Sequence, residues 1–370
     1  MRHGRTPGGT YRRVLSLLLV LAALQFGSLI APAYACGCGA MVTADDARLS
    51  VGRETSVVHW DGRTEQIVMR LTVDGDAPEA AWIMPVPHRA TVELGDPGLF
   101  DELAEITAPV YRDRHYFWPR EGDWPLEGTD GAGAPAPGAA GAPDVGVVGR
   151  ERLGPFDVAR LTATDPEALR GWLESNGFEL PDRLASALRP YVAQEWEYVA
   201  VRLAPEEDGA ALGGALEPLR LSFASDRLVY PMRLSRLARD GQSLGLYVIA
   251  EHRMEPAGSI GGREPEVTYA GRLGRTADGG ALGELVADGP AFLTAITQSF
   301  PEPERIDGDH ELRAAGADPP YRTVHHVDRL LTVGGFPVWL LTVLAPVLLL
   351  AVAVPFLLRA RRRPLPPPLP

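Results

Sequence analysis

The sequence predicts an α+β fold: two antiparallel β-rich lobes joined by helices, an N-terminal signal peptide and one C-terminal transmembrane helix. Three observations predict it. Arginines followed by an apolar run open the chain, and a charge-free apolar run followed by arginines closes it. Between them, residues 36–335 show short stretches of alternating apolar and polar residues around a middle with helical spacing.

At the N-terminus, Arg2, Arg5, Arg12 and Arg13 precede the apolar run Val14 to Ile30, and Ala33-Tyr34-Ala35 has the small-x-small form of a signal-peptidase site. Residues 1–35 are therefore expected to be removed, leaving Cys36 first. Lipidation of Cys36 is the alternative, but Ala33 stands where lipidated proteins usually have leucine; an uncleaved membrane anchor is the other. At the C-terminus, Phe336 to Leu358 is 23 residues without a charge. As a helix it is about 35 Å long, against about 30 Å of hydrocarbon. Arg359, Arg361, Arg362 and Arg363 follow, so residues 359–370 are expected in the cytoplasm and the body of the chain outside. The partner this implies is the membrane, crossed once.

All 36 basic residues are arginine and four lie in each terminal segment, while all 48 acids lie between, so residues 36–335 carry a net charge of -20. That excludes a nucleic-acid binder, which needs clustered positive charge. Two cysteines exclude a disulfide-rich scaffold and a four-cysteine zinc site. An acidic exterior favours cations or basic partners, besides keeping an exported domain soluble.

The first lobe is expected over 41–95. Thr55 to Trp60 alternates and is turned by Asp61-Gly62; Gln66 to Val73 alternates and is turned by Asp74-Gly75-Asp76. Ala80 to Met84 and Thr91 to Leu94 are further strands. Residues 96–190 are a helical and loop region. Pro97 to Thr107 places Leu99, Phe100, Leu103 and Ile106 at helical spacing, and Thr164-Asp165-Pro166-Glu167 starts a helix that Asn176-Gly177 stops. A shorter helix carries Leu184 and Leu188. Gly128 to Gly149 has too few large apolar side chains to repay its ordering and reads as a loose loop. The second lobe, 191–300, has strands at Trp196 to Leu203, Leu219 to Phe223, Leu228 to Tyr230 and Gly245 to Arg253, then a helix from Asp288 to Phe300. Val68 to Leu71 echoes Ala200 to Leu203, and Ile83-Met84-Pro85 echoes Val229-Tyr230-Pro231, so duplication of the lobe is a hypothesis. Residues 301–335 are a membrane-proximal stalk and 336–358 the transmembrane helix.

Cys36-Gly37-Cys38-Gly39 after a signal peptide, His59-Trp60-Asp61-Gly62, the run Gln66 to Val73, Ala81-Trp82-Ile83-Met84-Pro85-Val86-Pro87 and the stretch Tyr191 to Leu203 occur in one order. In this the chain resembles the bacterial domain-of-unknown-function family numbered 2330. The resemblance covers most of 36–300. It implies an exported protein with a C-terminal transmembrane helix, and it assigns no activity and no catalytic residue.

Chemistry must then come from the residues. Gly241-Gln242-Ser243-Leu244-Gly245 matches a serine-hydrolase elbow, which needs a strand before the serine and a helix after it. Here Asp240-Gly241 reads as a turn and Leu246 to Ile249 as a strand, so a hairpin turn is expected instead. Cys36 and Cys38 are the redox or disulfide candidate. Outside the cytoplasm they form a strained bond, stay as free thiols, or ligate a soft metal. Asp307, Asp309, His310, His325, His326 and Asp328 crowd the stalk and are expected to be solvated rather than to hold a metal. Tyr111, His115, Tyr116, Trp118 and Trp124 are the ligand-binding candidate, a set of rings suited to glycan or peptide; the competing expectation is that they pack over the β lobe. No cofactor and no metal are expected, and the catalytic residues are unknown. The function expected is a binding or structural module of the cell envelope, with an envelope protein or glycan as partner. The alternative is an envelope enzyme, a hydrolase or a thiol-redox protein using Cys36 and Cys38.

Overall fold

A computed structural model describes residues 34–36, 39–43, 47, 49–120, 123, 152–153, 156–161, 166–204, 211–274, 280–286 and 291–361. The first part of the chain forms strands β1 (Tyr34–Cys36), β2 (Gly39–Thr43), β3 (Leu49–Trp60), β4 (Thr64–Gly75), β5 (Ala80–Val86) and β6 (Thr91–Leu94), then helix α1 (Gly98–Thr107) and strand β7 (Val110–Tyr116). Next come β8 (Arg152–Leu153), β9 (Phe156–Leu161), helices α2 (Pro166–Ser175) and α3 (Asp182–Ala193), then β10 (Glu197–Leu203), β11 (Gly214–Ala215), β12 (Leu219–Ala224), β13 (Leu228–Tyr230), β14 (Gln242–Ala250), β15 (Met254–Pro256) and β16 (Glu266–Leu273). The chain continues through α4 (Ala281–Leu285), β17 (Ala291–Phe300), β18 (His310–Ala314), β19 (Tyr321–Arg322), β20 (Val324–Leu330), β21 (Thr332–Val333) and β22 (Phe336–Pro337) to α5 (Val338–Arg361). It divides into two compact units, Met1–Ala108 with Val147–Arg322, and Pro109–Gly146 with Thr323–Pro370.

The first unit is built in four layers. One sheet has the order β1-β2-β5-β10-β9-β8; the other runs β19-β16-β17-β14-β3-β4-β12-β6, with β11 also pairing β4. Strand alternation sends successive side chains to opposite faces. Trp82, Met84, Val199 and Val201 from the first sheet therefore meet Ile67, Met69, Leu71, Leu246 and Val248 from the second in the largest apolar cluster. The opposite face of the first sheet, with Ala81, Ile83, Tyr198 and Ala200, is covered by Leu169 and Leu173 of α2 and Leu184 and Leu188 of α3. The opposite face of the second sheet, with Val57, Val68, Ile249 and Leu293, is covered by Leu99, Phe100 and Leu103 of α1 and Leu282 and Leu285 of α4. A third small sheet, β13-β18-β15, adds Leu228, Leu312 and Met254 to the central cluster.

The helices follow their sequence signals. Asp96 Oδ1 accepts a hydrogen bond from the Gly98 amide at 2.8 Å as α1 begins. After α2, Gly177 has φ 82° and the Phe178 amide returns to the Leu173 carbonyl at 2.8 Å, the reversal that Asn176-Gly177 predicts. Gly39 has a packing reason to be glycine: a Cβ there would lie 2.5 Å from the Ile83 carbonyl oxygen and 2.7 Å from Trp82 Nε1. This links the Cys-Gly-Cys-Gly motif to the Trp82 motif through one close contact between β2 and β5.

Three expectations are corrected. The two expected lobes do not each form their own sheet: β2 and β5 share a sheet with β10, while β3 and β4 share the other with β12 and β14. Alternation identifies a strand and is silent about its partner, and here β5 pairs with a strand more than a hundred residues away. The expected helix from Asp288 to Phe300 is instead strand β17, between β14 and β16. Phe292 and Leu293 face different layers, and a run buried on both faces imitates helical spacing. Nor is Gly241 in a hairpin: a short 3-10 turn, Arg233–Leu237, precedes β14, and Gly241 does not have positive φ. The echoes expected from a duplication fall in different settings, since β4 and β10 belong to different sheets and β5 is itself the neighbour of β10.

In the second unit β7 and β20 pair in parallel, Val110 opposite Val324 through Tyr116 opposite Leu330. Part of the expected stalk is thus a two-stranded ribbon. The β21–β22 hairpin turns on Gly334 and Gly335, both at positive φ. It leads into α5, where Val338–Arg359 contains an 18-residue stretch of mean hydropathy 2.7 and is long and apolar enough to cross a membrane.

Candidate functional site

The parallel pairing of β3 with β14 builds a cleft in the first unit. His59 lies opposite Ile249, so both strands end at the same edge of the sheet. One delivers His59, Trp60, Asp61 and Gly62; the other delivers Ala250, Glu251 and His252. Strand β17 runs antiparallel to β14 and contributes Ala291 from its start, and α4 ends there with Glu284, Leu285 and Val286. Together with Gln66, Met254 and Ala314 these residues line a cleft of about 580 Å3.

The hairpin tip is held locally. Asp61 Oδ1 accepts the amides of Arg63 at 2.8 Å and Thr64 at 2.7 Å, and Gly62 takes φ 95°. The amide of Thr64, above all, holds the Asp61 carboxyl below its ordinary range. Across the cleft, His252 Nδ1 lies 3.0 Å from Asp318 Oδ2, whose other oxygen accepts the Arg253 amide at 2.8 Å. Arg272 reaches Asp318 Oδ2 at 3.2 Å. The hydrogen bond to His252, first, then the Arg253 amide lower the Asp318 pKa, and the same hydrogen bond raises that of His252.

Beneath the hairpin the core carries buried acids. Glu65 is fully buried, with Oε2 accepting the Val229 amide at 3.2 Å and the Ser225 hydroxyl beside it. Burial pushes its carboxyl well above the usual range. Trp60 Nε1 donates to the Ser225 carbonyl at 3.2 Å, tying the cleft's indole to the same loop. The Tyr230 hydroxyl bonds the Glu54 carboxylate and lies 2.7 Å from Ser56 Oγ. Sequence reasoning missed Glu54 and Glu65 because 48 acids hide any one of them. Parity was the available signal: Glu54, Ser56 and Val58 share a face in β3, and Glu65, Ile67 and Met69 share one in β4.

The sites expected from sequence are dispersed. Cys36 closes β1 opposite Gly39; Cys38, Trp124 and the segment Gly128 to Gly149 lie outside the described residues. Ser243 is the second residue of β14, a strand with no helix after it, so the elbow geometry is absent. Tyr111, His115, Tyr116 and Trp118 lie on or just after β7, and Tyr111 and Trp118 are 68% and 65% exposed, which corrects the expectation that these rings form core. Tyr111 stacks near His325, with ring centroids 5.5 Å apart, and Tyr116 donates to Asp123 at 2.6 Å under the Arg120 guanidinium. The stalk's acids and histidines are divided too. Asp309 accepts from Tyr191 at 2.6 Å, the Met232 amide at 2.8 Å and Arg233 at 2.8 Å. Asp328 pairs with Arg114 and Arg120, whose hydrogen bonds hold its carboxyl far below the usual range. His310 is buried, contrary to the expected solvation, whereas His325 and His326 are exposed. Among the described residues no group of three or more His, Cys, Asp or Glu is placed to hold a metal.

No curated protein matches the chain. Among solved structures it is similar to the crystal structure of baculovirus P35, over 75% of this chain and 98% of that one, with 10% identity and a TM-score of 0.29. A family profile described as an uncharacterized protein conserved in bacteria matches residues 32–313. The matched span runs from before β1 into β18; it holds both sheets except the edge strand β19, their covering helices and every residue lining the cleft except Ala314. On that match the chain belongs to the bacterial family of uncharacterized proteins DUF2330.

Proposed function

We propose that the protein is a single-pass membrane protein whose larger unit lies outside the cytoplasm and binds a small organic cation in the cleft at the β3–β14 edge. The lining of that cleft carries the reading: an indole and three carboxylates, Trp60 with Asp61, Glu251 and Glu284, around a space of about 580 Å3. An ammonium or guanidinium group is attracted both by carboxylates and by an indole face. The net charge of -20 over residues 36–335 raises the local concentration of such ligands. The helix α5 and the arginines after it support the anchoring half of the proposal.

Two measurements test it. Full-length protein in detergent, titrated calorimetrically with spermidine, is expected to bind, and Glu284→Gln with Glu251→Gln to weaken binding about tenfold at unchanged melting temperature. Protonation of His252 puts positive charge on the cleft, so affinity is expected to fall as pH drops through its raised pKa. Spermidine that fails to bind, or binds equally well to the double variant, refutes the cleft. For the anchor, a reporter fused after Pro370 is expected to be active only inside the cell. Cleavage of the tail by protease added outside would reverse the orientation.

A further inference from the structure

Both strands of the second unit's ribbon leave it at the same end. Strands β7 and β20 are parallel, so Tyr116 and Leu330 close it side by side. The Leu331 amide then donates to the Tyr116 carbonyl at 2.9 Å, and the amide of Val338, the first residue of α5, donates to the Leu331 carbonyl at 2.9 Å. These two bonds bring together the segment after β7, the β21–β22 hairpin and the start of α5. Large apolar side chains gather there in the open. Trp118, two residues beyond Tyr116, is exposed, with Phe117 edge-on to it at 5.1 Å between ring centroids. Val333 and Phe336, paired across the hairpin, are each 62% exposed. Trp339 is buried, so the first turn of α5 is covered, whereas from Leu341 to Leu358 its apolar side chains are exposed as well.

We infer that this end of the ribbon is a membrane contact: Trp118, Val333 and Phe336 lie among the lipid headgroups and seat the ribbon on the outer surface of the bilayer. The inference rests on the reading of α5 as a membrane span and does not depend on the cleft. The length of α5 sets the depth. Val338–Arg359 is 22 residues, about 33 Å of helix against about 30 Å of hydrocarbon, so with Arg359 at the inner boundary Val338 stands at the outer one. Phe336 is two residues before Val338, at most about 7 Å along the chain, which is about the depth of the headgroup layer. Val333 is its cross-strand partner. Tryptophan is the residue type that favours this level, because its ring is apolar and its N–H is wet. An exposed apolar cluster marks a contact surface, and this one is continuous with the exposed apolar surface of α5, so the two share the bilayer as occupant. The ribbon gives a second reason. A lone pair of parallel strands is marginal in water, and holding both exits at one surface restricts the freedom the strands would regain on separating. Farther along β7, Arg112, Asp113, Arg114 and His115 are exposed and polar, so the ribbon rises from the surface and carries Tyr111 away from it.

Quenching of tryptophan emission by brominated lipid tests the contact. Full-length protein is reconstituted into phosphatidylcholine nanodiscs with and without bromine on the acyl chains, and differences between variants and wild type isolate single indoles. Trp118→Phe reports the ribbon end. The Trp118 component is expected to lose about half its emission, and to lose more to bromine near the headgroups than to bromine near the chain ends. Phe336→Trp is expected to add a component quenched in the same way, and Tyr111→Trp one that bromine leaves unchanged. Leu348→Trp, at an exposed position midway along α5, reports the span itself and is expected to be quenched most by bromine near the chain ends. All four positions are exposed, so melting temperatures are expected to hold. Quenching at Leu348→Trp without quenching of Trp118, or without quenching at Phe336→Trp, refutes the seating and leaves the span standing. No quenching at Leu348→Trp refutes the span and the seating together. Quenching at Tyr111→Trp equal to that of Trp118 also overturns the inference, because the ribbon would then lie along the membrane instead of resting on one end.

Discussion

Replacing Trp82 by alanine is expected to destabilise the first unit by about 3–5 kcal/mol, the usual cost of removing a large aromatic side chain from a packed core. Trp82 has no exposed surface. It sits in β5 between Met41 of β2 and Val201 of β10 and points into the layer between the two sheets. The cavity has little means of closing, because both flanking strands are hydrogen-bonded in register and Gly39 has no side chain to move in. Chemical denaturation of the full-length protein in detergent measures the loss. Trp118→Ala is the control: that ring is 65% exposed, and its removal is expected to change stability by less than about 0.5 kcal/mol. If Trp82→Ala costs under about 1 kcal/mol, the two sheets do not pack through this residue.

The same strand shows what the sequence made legible. Ala80 to Val86 is apolar throughout, and the strand was readable from that alone. Its lack of alternation carried the further information that both faces are covered, one by a second sheet and the other by α2 and α3. The helices were readable because their signals are local: the spacing of Leu99, Phe100, Leu103 and Ile106 after Pro97 for α1, Pro166 at the first turn of α2, Asn176-Gly177 after it. The β3–β4 hairpin was readable from its Asp61-Gly62 turn, but distant strand partners were not. The parallel pairing of β3 with β14 joins segments nearly two hundred residues apart, and nothing in either segment names the other. The cleft depends on that pairing, so only its first half, His59-Trp60-Asp61-Gly62, was visible as a motif. Glu251, His252 and Glu284 reach it through topology alone. Conversely, the aromatic segment from Tyr111 to Trp118 was visible by composition, but the exposed ribbon that carries it requires β20 as a partner.

Acid is expected to act on the third small sheet through His310. This residue lies in β18 opposite Tyr230 and is 2% exposed. Burial pushes its imidazole from the ordinary 6.5 down to about 4, against the opposing charge of Asp309. The native state then binds fewer protons than the unfolded chain between those two values. Stability from this group is therefore fully present above the unfolded value and is lost as pH falls through the interval toward the folded one. At roughly 1.4 kcal/mol per unit the loss reaches about 3 kcal/mol. Glu65 works in the other direction, since a carboxyl raised by burial contributes stability that is present below its unfolded value and lost as pH rises. The two overlap, so the wild-type curve alone does not isolate His310. The difference between wild type and His310→Leu does, because Glu65 is common to both. That difference is expected to shift by about 3 kcal/mol in favour of the leucine variant between about pH 7.5 and about pH 4, read from denaturation midpoints. Parallel curves for the two proteins would mean that His310 is solvated in the native state, and that the register of β18 against β13 is wrong.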